Sequence, residues 1–402
     1  MMFRSLVGPR VQAPIVGRIL VLVALALSGC GGGSTSAPPT LNTYVAGSFC
    51  FDNAIDAAGN IWVANGGNGI PGTAAGDSNV TELSPYGTTI GTYIAGSVPI
   101  GIAIDKSGNV WVENYGNGTA GTSPAESNVT ELSPSGKTIG TYVAGSYPAG
   151  GIAVDTSGNV WVTNWGAASE IAGTPGTAPG DSNVTELSPS GNTIGTYVAG
   201  SSPGGIAIDS AGNVWVANKG SGTVGMGLTD SNVTKLSPSG TTIATYVAGS
   251  LPEGLAIDPA GNVWVVNKGN GTPGTVAGDS NATELSPSGT TIGTYIVGSY
   301  PEIVAVDSAG NVWVANGYHG GKDLTTSSVT ELNSSGTTIR TYATGNQPYG
   351  IAIDKSGNVW VTNYGNGTAG TTGTDSNVQE YIRAATGPQY FPYGGPQWPG
   401  AE

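Results

Sequence analysis

The chain is short of the residues from which most metal sites, disulfide scaffolds and nucleic-acid surfaces are built. Of 402 residues only two are cysteine, one is histidine and 9% carry charge. Cys30 and Cys50 are too few for a disulfide framework, and no disulfide is expected between them. Basic residues number 12 against 26 acidic ones, so the formal charge is −14, and nucleic acid is a poor partner. No phosphate loop, nucleophile elbow or paired-cysteine motif occurs, and no apolar pattern of helical period runs along the chain. Low charge does not mean disorder here, because 38% of residues are hydrophobic and nine tryptophans and seventeen tyrosines are spread along the length. With 68 glycines, the composition is not that of a usual helical or α/β enzyme.

What is present begins with an export leader. Arg4, Arg10 and Arg18 precede an apolar run from Ile19 to Leu27 that is too short to span a bilayer, and Leu27-Ser28-Gly29-Cys30 follows. That ending resembles a bacterial lipobox, in which the cysteine is lipidated and the preceding peptide removed. The expectation is a signal peptide over 1–29, then a lipidated Cys30 with a Gly/Ser/Pro tether over 30–40. Loss of the three arginines leaves the mature chain at −17, so the membrane is met through the acyl chains alone. Gly31, with no aspartate after Cys30, resembles lipoproteins sent to an outer membrane. The localisation expected is the bacterial cell envelope, at the outer membrane or cell surface.

Seven segments of the type Ile-Ala-Ile-Asp-x-x-Gly-Asn-Val-Trp-Val-x-Asn carry Trp62, Trp111, Trp161, Trp215, Trp264, Trp313 and Trp360, spaced by 47 to 54 residues. A period near fifty made of short β-rich runs fits a propeller blade. One unit contains an apolar inner strand over 101–105, a Lys106-Ser107-Gly108-Asn109 turn and a second strand over 110–114. A glycine-rich loop then leads to a third strand over 128–132, a Ser133-Pro134-Ser135-Gly136 turn and a fourth strand over 138–143. The chain opens on a fourth-strand sequence, Asn42 to Gly47, and closes on a third-strand sequence, Val378 to Tyr381. An open sheet edge is costly, so the first strand is expected to complete the last blade. The fold predicted is all-β: a seven-bladed β-propeller of four-stranded antiparallel blades over 41–383, followed by a Pro/Gly/aromatic tail over 384–402. The tail either packs over one rim or hangs free.

The repeat resembles the NHL-type and streptogramin-lyase-like (virginiamycin B lyase-like) propellers, in which Pro-Gly, an apolar strand, Asp-x-x-Gly-Asn and an aromatic strand recur. The resemblance implies the propeller architecture. It leaves activity open, since the scaffold hosts lyases, hydrolases and binding proteins alike.

Residues present in every blade are expected to be structural. Asp56, Asp105, Asp155, Asp209, Asp258, Asp307 and Asp354 precede a Gly-Asn turn, where an aspartate accepts backbone N–H bonds. The seven repeated tryptophans are expected in the core. The Asn-x-Thr triplets at Asn79, Asn128, Asn183, Asn232 and Asn281 match a glycosylation sequon, and are expected instead to organise strand entry.

Function is sought where the copies disagree. Loops between the second and third strands have 13 residues except for 18 in blade three and 11 in blade six, and one residue is added at Ala149-Gly150-Gly151. Both kinds of connection emerge on one side of a meander, which makes that side the candidate binding face. Its variable positions place Phe51, Tyr115, Trp165, Tyr349 and Tyr364 on an aromatic arc, opposite Lys219, Lys268, Glu253 and Glu302. Tyr318 of the divergent blade-six loop joins this face. Such an arrangement suits a carbohydrate, a peptide or an aromatic ligand.

Catalysis has thinner support. The resemblance to streptogramin lyases implies a histidine pair with glutamate and a divalent metal, and His319 is the one histidine present. His319 with Glu302 or Glu253 is the smallest acid/base pair available. The loop carboxylates Asp77, Asp181, Asp230, Asp279 and Asp375 are candidate oxygen ligands for calcium or magnesium, though no complete ligand series is present and an Asx-capped strand entry is the favoured alternative. The reading is therefore a monomeric envelope lipoprotein that binds or scaffolds through its variable face. A lyase or hydrolase of the streptogramin-lyase-like class is the alternative, and a mainly structural surface protein a third.

Overall fold

The computed structural model describes residues 39–74, 76–123, 125–166, 175–178, 181–317, 327–387 and 389. The leader with Cys30, and the blade-six residues Tyr318 and His319, lie outside the described set. Among the described residues there is no helix. After β1 (Leu41–Tyr44), blade one comprises β2 (Cys50–Ile55), β3 (Ile61–Asn65), β4 (Asn79–Leu83) and β5 (Thr89–Tyr93). The same order recurs to β26 (Pro348–Ile353), β27 (Val359–Asn363) and β28 (Asn377–Tyr381), giving seven four-stranded antiparallel sheets. The last sheet has the order β1-β28-β27-β26, with Leu41 opposite Tyr381 and Tyr44 opposite Val378. Tyr44 Oη and Asn42 Nδ2 both donate to Glu380, at 2.8 and 3.0 Å. The opening strand thus closes the ring in the seventh blade.

The core lies between blades. Trp62 packs with Ile102, Ile104, Val110 and Val112 of the following blade, and Trp360 of the last packs with Ile55, Ile61 and Val63 of the first. A period-2 strand explains this: Val110 and Val112 point to one neighbouring sheet and Trp111 to the other. Burying an indole of roughly 200 Å² at about 25 cal/mol/Å² contributes about 5 kcal/mol per blade before entropy is counted.

Blades one, two, three and five are clamped at the turn side by one repeated network, and the others keep part of it. In blade two, Asp105 accepts the backbone N–H groups of Ser107 and Asn109 at 2.8 and 2.9 Å and the Trp111 indole N–H at 3.2 Å. Glu131 accepts from the Asn109 amide at 3.0 Å and from the Tyr142 hydroxyl at 2.9 Å, and Tyr142 lies beside Trp111 at 5.6 Å between centroids. The repeated aspartates are therefore turn acceptors, and in every blade but the sixth they also accept the indole N–H. In blade four Lys235 stands where the other blades have glutamate, or Glu380 in the last; it pairs with Asp209 at 3.2 Å and sits 4.5 Å from the Trp215 ring.

The loop side has its own clamp. Asn114 Nδ2 donates to Asn128 Oδ1 and Thr130 Oγ1, and Thr130 donates to the Ala95 carbonyl at 2.9 Å. Gly96 is required there, because a Cβ would stand 2.6 Å from the Asn114 side chain. The sequon asparagines are buried parts of this clamp, with Asn79 and Asn128 at 1% and 0% exposure, as expected of strand entry.

The segment after β28 crosses the turn side from blade seven to blade six. Thr386 N–H donates to Asp307 at 3.0 Å, Ala385 N–H to the Gly357 carbonyl at 3.0 Å, and Ile353 N–H to the Gln389 side chain at 3.1 Å. Asp307 spends an oxygen on this strap, and the Trp313 indole N–H has no hydrogen-bond partner among the described residues. Of the two alternatives for the tail, packing is observed for residues 385–387 and 389; residues 390–402 lie outside the described set. Cys50 is a buried free thiol, pushed up to about 12 by burial.

Candidate functional site

The residue that follows each second strand carries the divergent side chain, and its backbone is fixed from two sides. The carbonyls of Tyr115, Lys219, Lys268 and Tyr364 accept the hydroxyls of Ser127, Ser231, Ser280 and Ser376 at 2.5–2.6 Å, and Trp165 is held in the same way by Ser182. The N–H groups of Tyr115, Trp165 and Tyr364 donate to the carbonyls of Val98, Tyr147 and Gln347 at 2.8–2.9 Å. Those acceptors belong to a set of seven non-glycine residues at positive φ, Phe49, Val98, Tyr147, Ser202, Leu251, Tyr300 and Gln347, with φ of 47–54°. A left-handed backbone at a bulky residue is strained, and its recurrence at the entry to every inner strand shows that the clamp outweighs the strain.

On these pedestals the seven blades enclose one cavity of about 650 Å³. Phe51, Tyr115, Trp165, Lys219, Lys268, Tyr349 and Tyr364, all anticipated for the variable face, line it together with Glu253 and Glu302. Its aromatic side is a packed wall. Phe51 meets Tyr349 at 5.3 Å and Tyr364 at 5.1 Å edge-on, Tyr349 lies 5.6 Å from Tyr364, and Tyr115 stands edge-on to Trp165 at 6.1 Å.

The opposite side is a chain of ion pairs. Lys219 binds Glu253 at 2.7 Å, Lys268 binds Glu253 at 3.2 Å and Lys268 binds Glu302 at 2.8 Å, with side chains only 3–17% exposed. Lys219 also stands 4.3 Å from the Trp165 ring, joining the two sides through a cation–π contact. Burial pushes Glu253 up, but the two ammonium groups outweigh it and hold the carboxyl below its ordinary range. Burial would lower Lys268 too, yet Glu253 and Glu302 raise it well above the usual lysine value. Lys219, lowered by burial and repelled by Lys268, is held below the usual value despite its pair with Glu253.

Sequence reasoning missed Asp52. It lines the cavity beside Phe51, its Oδ1 accepting the Asn53 N–H at 2.8 Å and its Oδ2 the Ile102 N–H of the next blade at 3.2 Å. Burial raises its carboxyl to about 7, against the two N–H bonds that lower it. Neighbours along a regular strand face opposite ways. Here the ladder between β2 and β3 shifts between Cys50 and Asn53, and the bulge turns Phe51 and Asp52 to the same cavity. A readable signal existed: blades two, four, five and seven hold glycine at the matching position, Gly101, Gly205, Gly254 and Gly350. Val98, Ile100, Tyr300 and Ile303 complete the apolar lining.

The other candidates are dispersed. Asp77, Asp181, Asp230, Asp279 and Asp375 each accept the backbone N–H three residues earlier, at 2.9–3.2 Å, and cap their own loops. Among the described residues no group of three or more His, Cys, Asp or Glu side chains could hold a metal ion. Glu253 and Glu302 are committed to lysines, so the described donor set does not fit the divalent metal of a streptogramin-lyase-like site. His319 lies outside the described residues and Tyr318 with it.

The sequence matches no protein-family model, and no curated protein matches it. Its fold is shared with solved structures. A streptogramin B lyase structure superposes with a TM-score of 0.59 at 14% identity, covering 85% of this chain and 97% of that one. A catalytically inactive histidine-to-alanine variant of virginiamycin B lyase from Staphylococcus aureus, solved with quinupristin, gives 0.58 at 12% identity over 85% and 98%. The mitotic checkpoint complex contains a chain that matches at 0.59 and 12% identity over 92% and 99%. The structural neighbours therefore include streptogramin B lyase-like seven-bladed propellers, and the likeness is one of fold.

Proposed function

We propose that this chain is an exported, lipid-anchored binding protein of the bacterial cell envelope that takes a small organic ligand, or a short stretch of a peptide or glycan, into its central cavity. The observation that carries the reading is that side chains differing between blades converge on one cavity while side chains repeated in every blade are consumed by the two clamps. A volume of about 650 Å³ lies within the range of small-molecule sites, and aromatic walls with a few fixed polar groups are their usual lining. The lipobox-like Leu27-Ser28-Gly29-Cys30 and the tether behind it support anchoring by acyl chains.

A thermal-shift and NMR screen of the mature chain against oligosaccharides, short peptides and aromatic small molecules tests this. Ligands that raise the melting temperature and perturb the resonances of Trp165 and Tyr364 support it. Ligands that perturb only the turn side, around Tyr86, contradict it. The lyase-like neighbours favour one second reading, a lyase or hydrolase acting in the same cavity. Turnover of a screened ligand, abolished by Asp52→Asn, is the outcome that favours catalysis over binding alone.

A further inference from the structure

The charge inside the cavity is unevenly compensated. Two lysines and two glutamates on one side satisfy one another in a continuous chain of pairs. On the other side Asp52 is the one lining carboxylate that no described lysine, arginine or histidine neutralises. Its two N–H bonds occupy about half of the lone-pair positions of a carboxylate. The same cavity is lined by the packed rings of Phe51, Tyr349 and Tyr364, and aromatic rings attract cations through their π faces. The chain as a whole carries −14, so its field also draws cations inward.

We propose that the cavity takes an organic cation, an ammonium or guanidinium group on an apolar or aromatic body, with the charge seated on Asp52 and the body laid along Phe51, Tyr349 and Tyr364. This rests on the cavity being the ligand site. A cation there replaces the solvation that the half-buried carboxylate has lost, which an uncharged ligand cannot do. An anionic ligand meets Asp52 with repulsion and finds Lys219 and Lys268 already occupied. Only blade one has a carboxylate at this place on its inner strand, so the seat is single despite the sevenfold repeat. Burial raises the Asp52 carboxyl to about 7, so above neutrality the acid awaits a counter-charge.

The test is calorimetric titration of the mature chain at about pH 8 with tyramine and with its neutral isostere 4-(2-hydroxyethyl)phenol. Tyramine is expected to bind about tenfold tighter, a gap of about 1.4 kcal/mol. In Asp52→Asn the preference for tyramine over the alcohol is expected to fall to about twofold or less. Raising salt from about 50 to about 500 mM is expected to weaken tyramine several-fold in the wild type and leave the alcohol unaffected. This salt comparison needs no variant, and decides the matter should Asp52→Asn fold poorly. Equal affinity of the two probes in the wild type, a preference that survives in folded Asp52→Asn, or no binding of either probe at about 10 mM overturns the proposal. In the last case the broader screen still decides whether the cavity is a ligand site, so the two readings fail separately.

Discussion

The two sides of the propeller ring do opposite things with the same repeat. On the turn side, Asp105, Asn109, Trp111, Glu131 and Tyr142 recur as one hydrogen-bonded set, and each blade reproduces its neighbour with small departures such as Lys235. On the loop side, Ser127-type hydroxyls and left-handed residues hold the backbone in one path while the side chain mounted on it changes from glycine to tyrosine, tryptophan or lysine. The difference teaches that repetition here fixes geometry and divergence supplies chemistry. Stability should follow the repeated residues and binding the divergent ones.

The comparison can be strained first where the effect is largest. Trp264→Ala removes a fully buried indole between two blades and is expected to cost about 4 kcal/mol in urea unfolding. A loss below about 1 kcal/mol would contradict the interblade core described.

Lys268→Met breaks the rule from the other side, since a divergent residue is here also structural. It leaves Glu302 without the lysine that pairs with it and Glu253 with Lys219 alone, in a site only 3–17% exposed. An expected loss of about 3 kcal/mol follows from removing one partner of a buried ion pair. Replacing Lys268 and Glu302 together by Met and Gln should recover part of it, which a double-mutant cycle measures.

Acidity gives a smaller and graded effect. Asp52, Glu82, Glu131, Glu186, Glu284, Glu331 and Glu380 are all raised, chiefly by burial. The folded chain then binds more protons than the unfolded one between the ordinary carboxylate range and about 7, the folded value of Asp52. Stability contributed by these groups is present at the acid end of that window and is lost as pH rises through it. Calorimetry is expected to give a higher melting temperature at about pH 5 than at about pH 8, with a shallower slope in Asp52→Asn. A melting temperature that is flat or rises toward pH 8 contradicts the burial of these carboxylates.

The fold was legible because a blade writes its turns, its inner strand and its aromatic strand in the sequence every fifty residues or so, and because the ends match strand four and strand three. The side of the ring that carries the cavity was legible from loop lengths alone. Asp52 was not, because alternation places it away from Phe51 and only a bulge brings the two together. Nor were the left-handed Val98 and Tyr300, whose residue types announce nothing of their backbone. The strap over blade six depended on Thr386 and Gln389 finding Asp307 and Ile353, contacts without a local pattern.

The most direct measurement compares aromatic residues across the ring with a ligand from the screen. Trp165→Ala and Tyr364→Ala are cavity variants, and Tyr86→Ala is the matched control on the turn side, where Tyr86 is 85% exposed. Tyr86→Ala is expected to change unfolding stability by about 1 kcal/mol or less and the two cavity variants by more, so affinity is compared at a temperature where all three are folded. Titration should show affinity weakened about tenfold or more in both cavity variants and unchanged in Tyr86→Ala. Affinity that survives both cavity variants, or that falls with Tyr86, would contradict the assignment of binding to the divergent side.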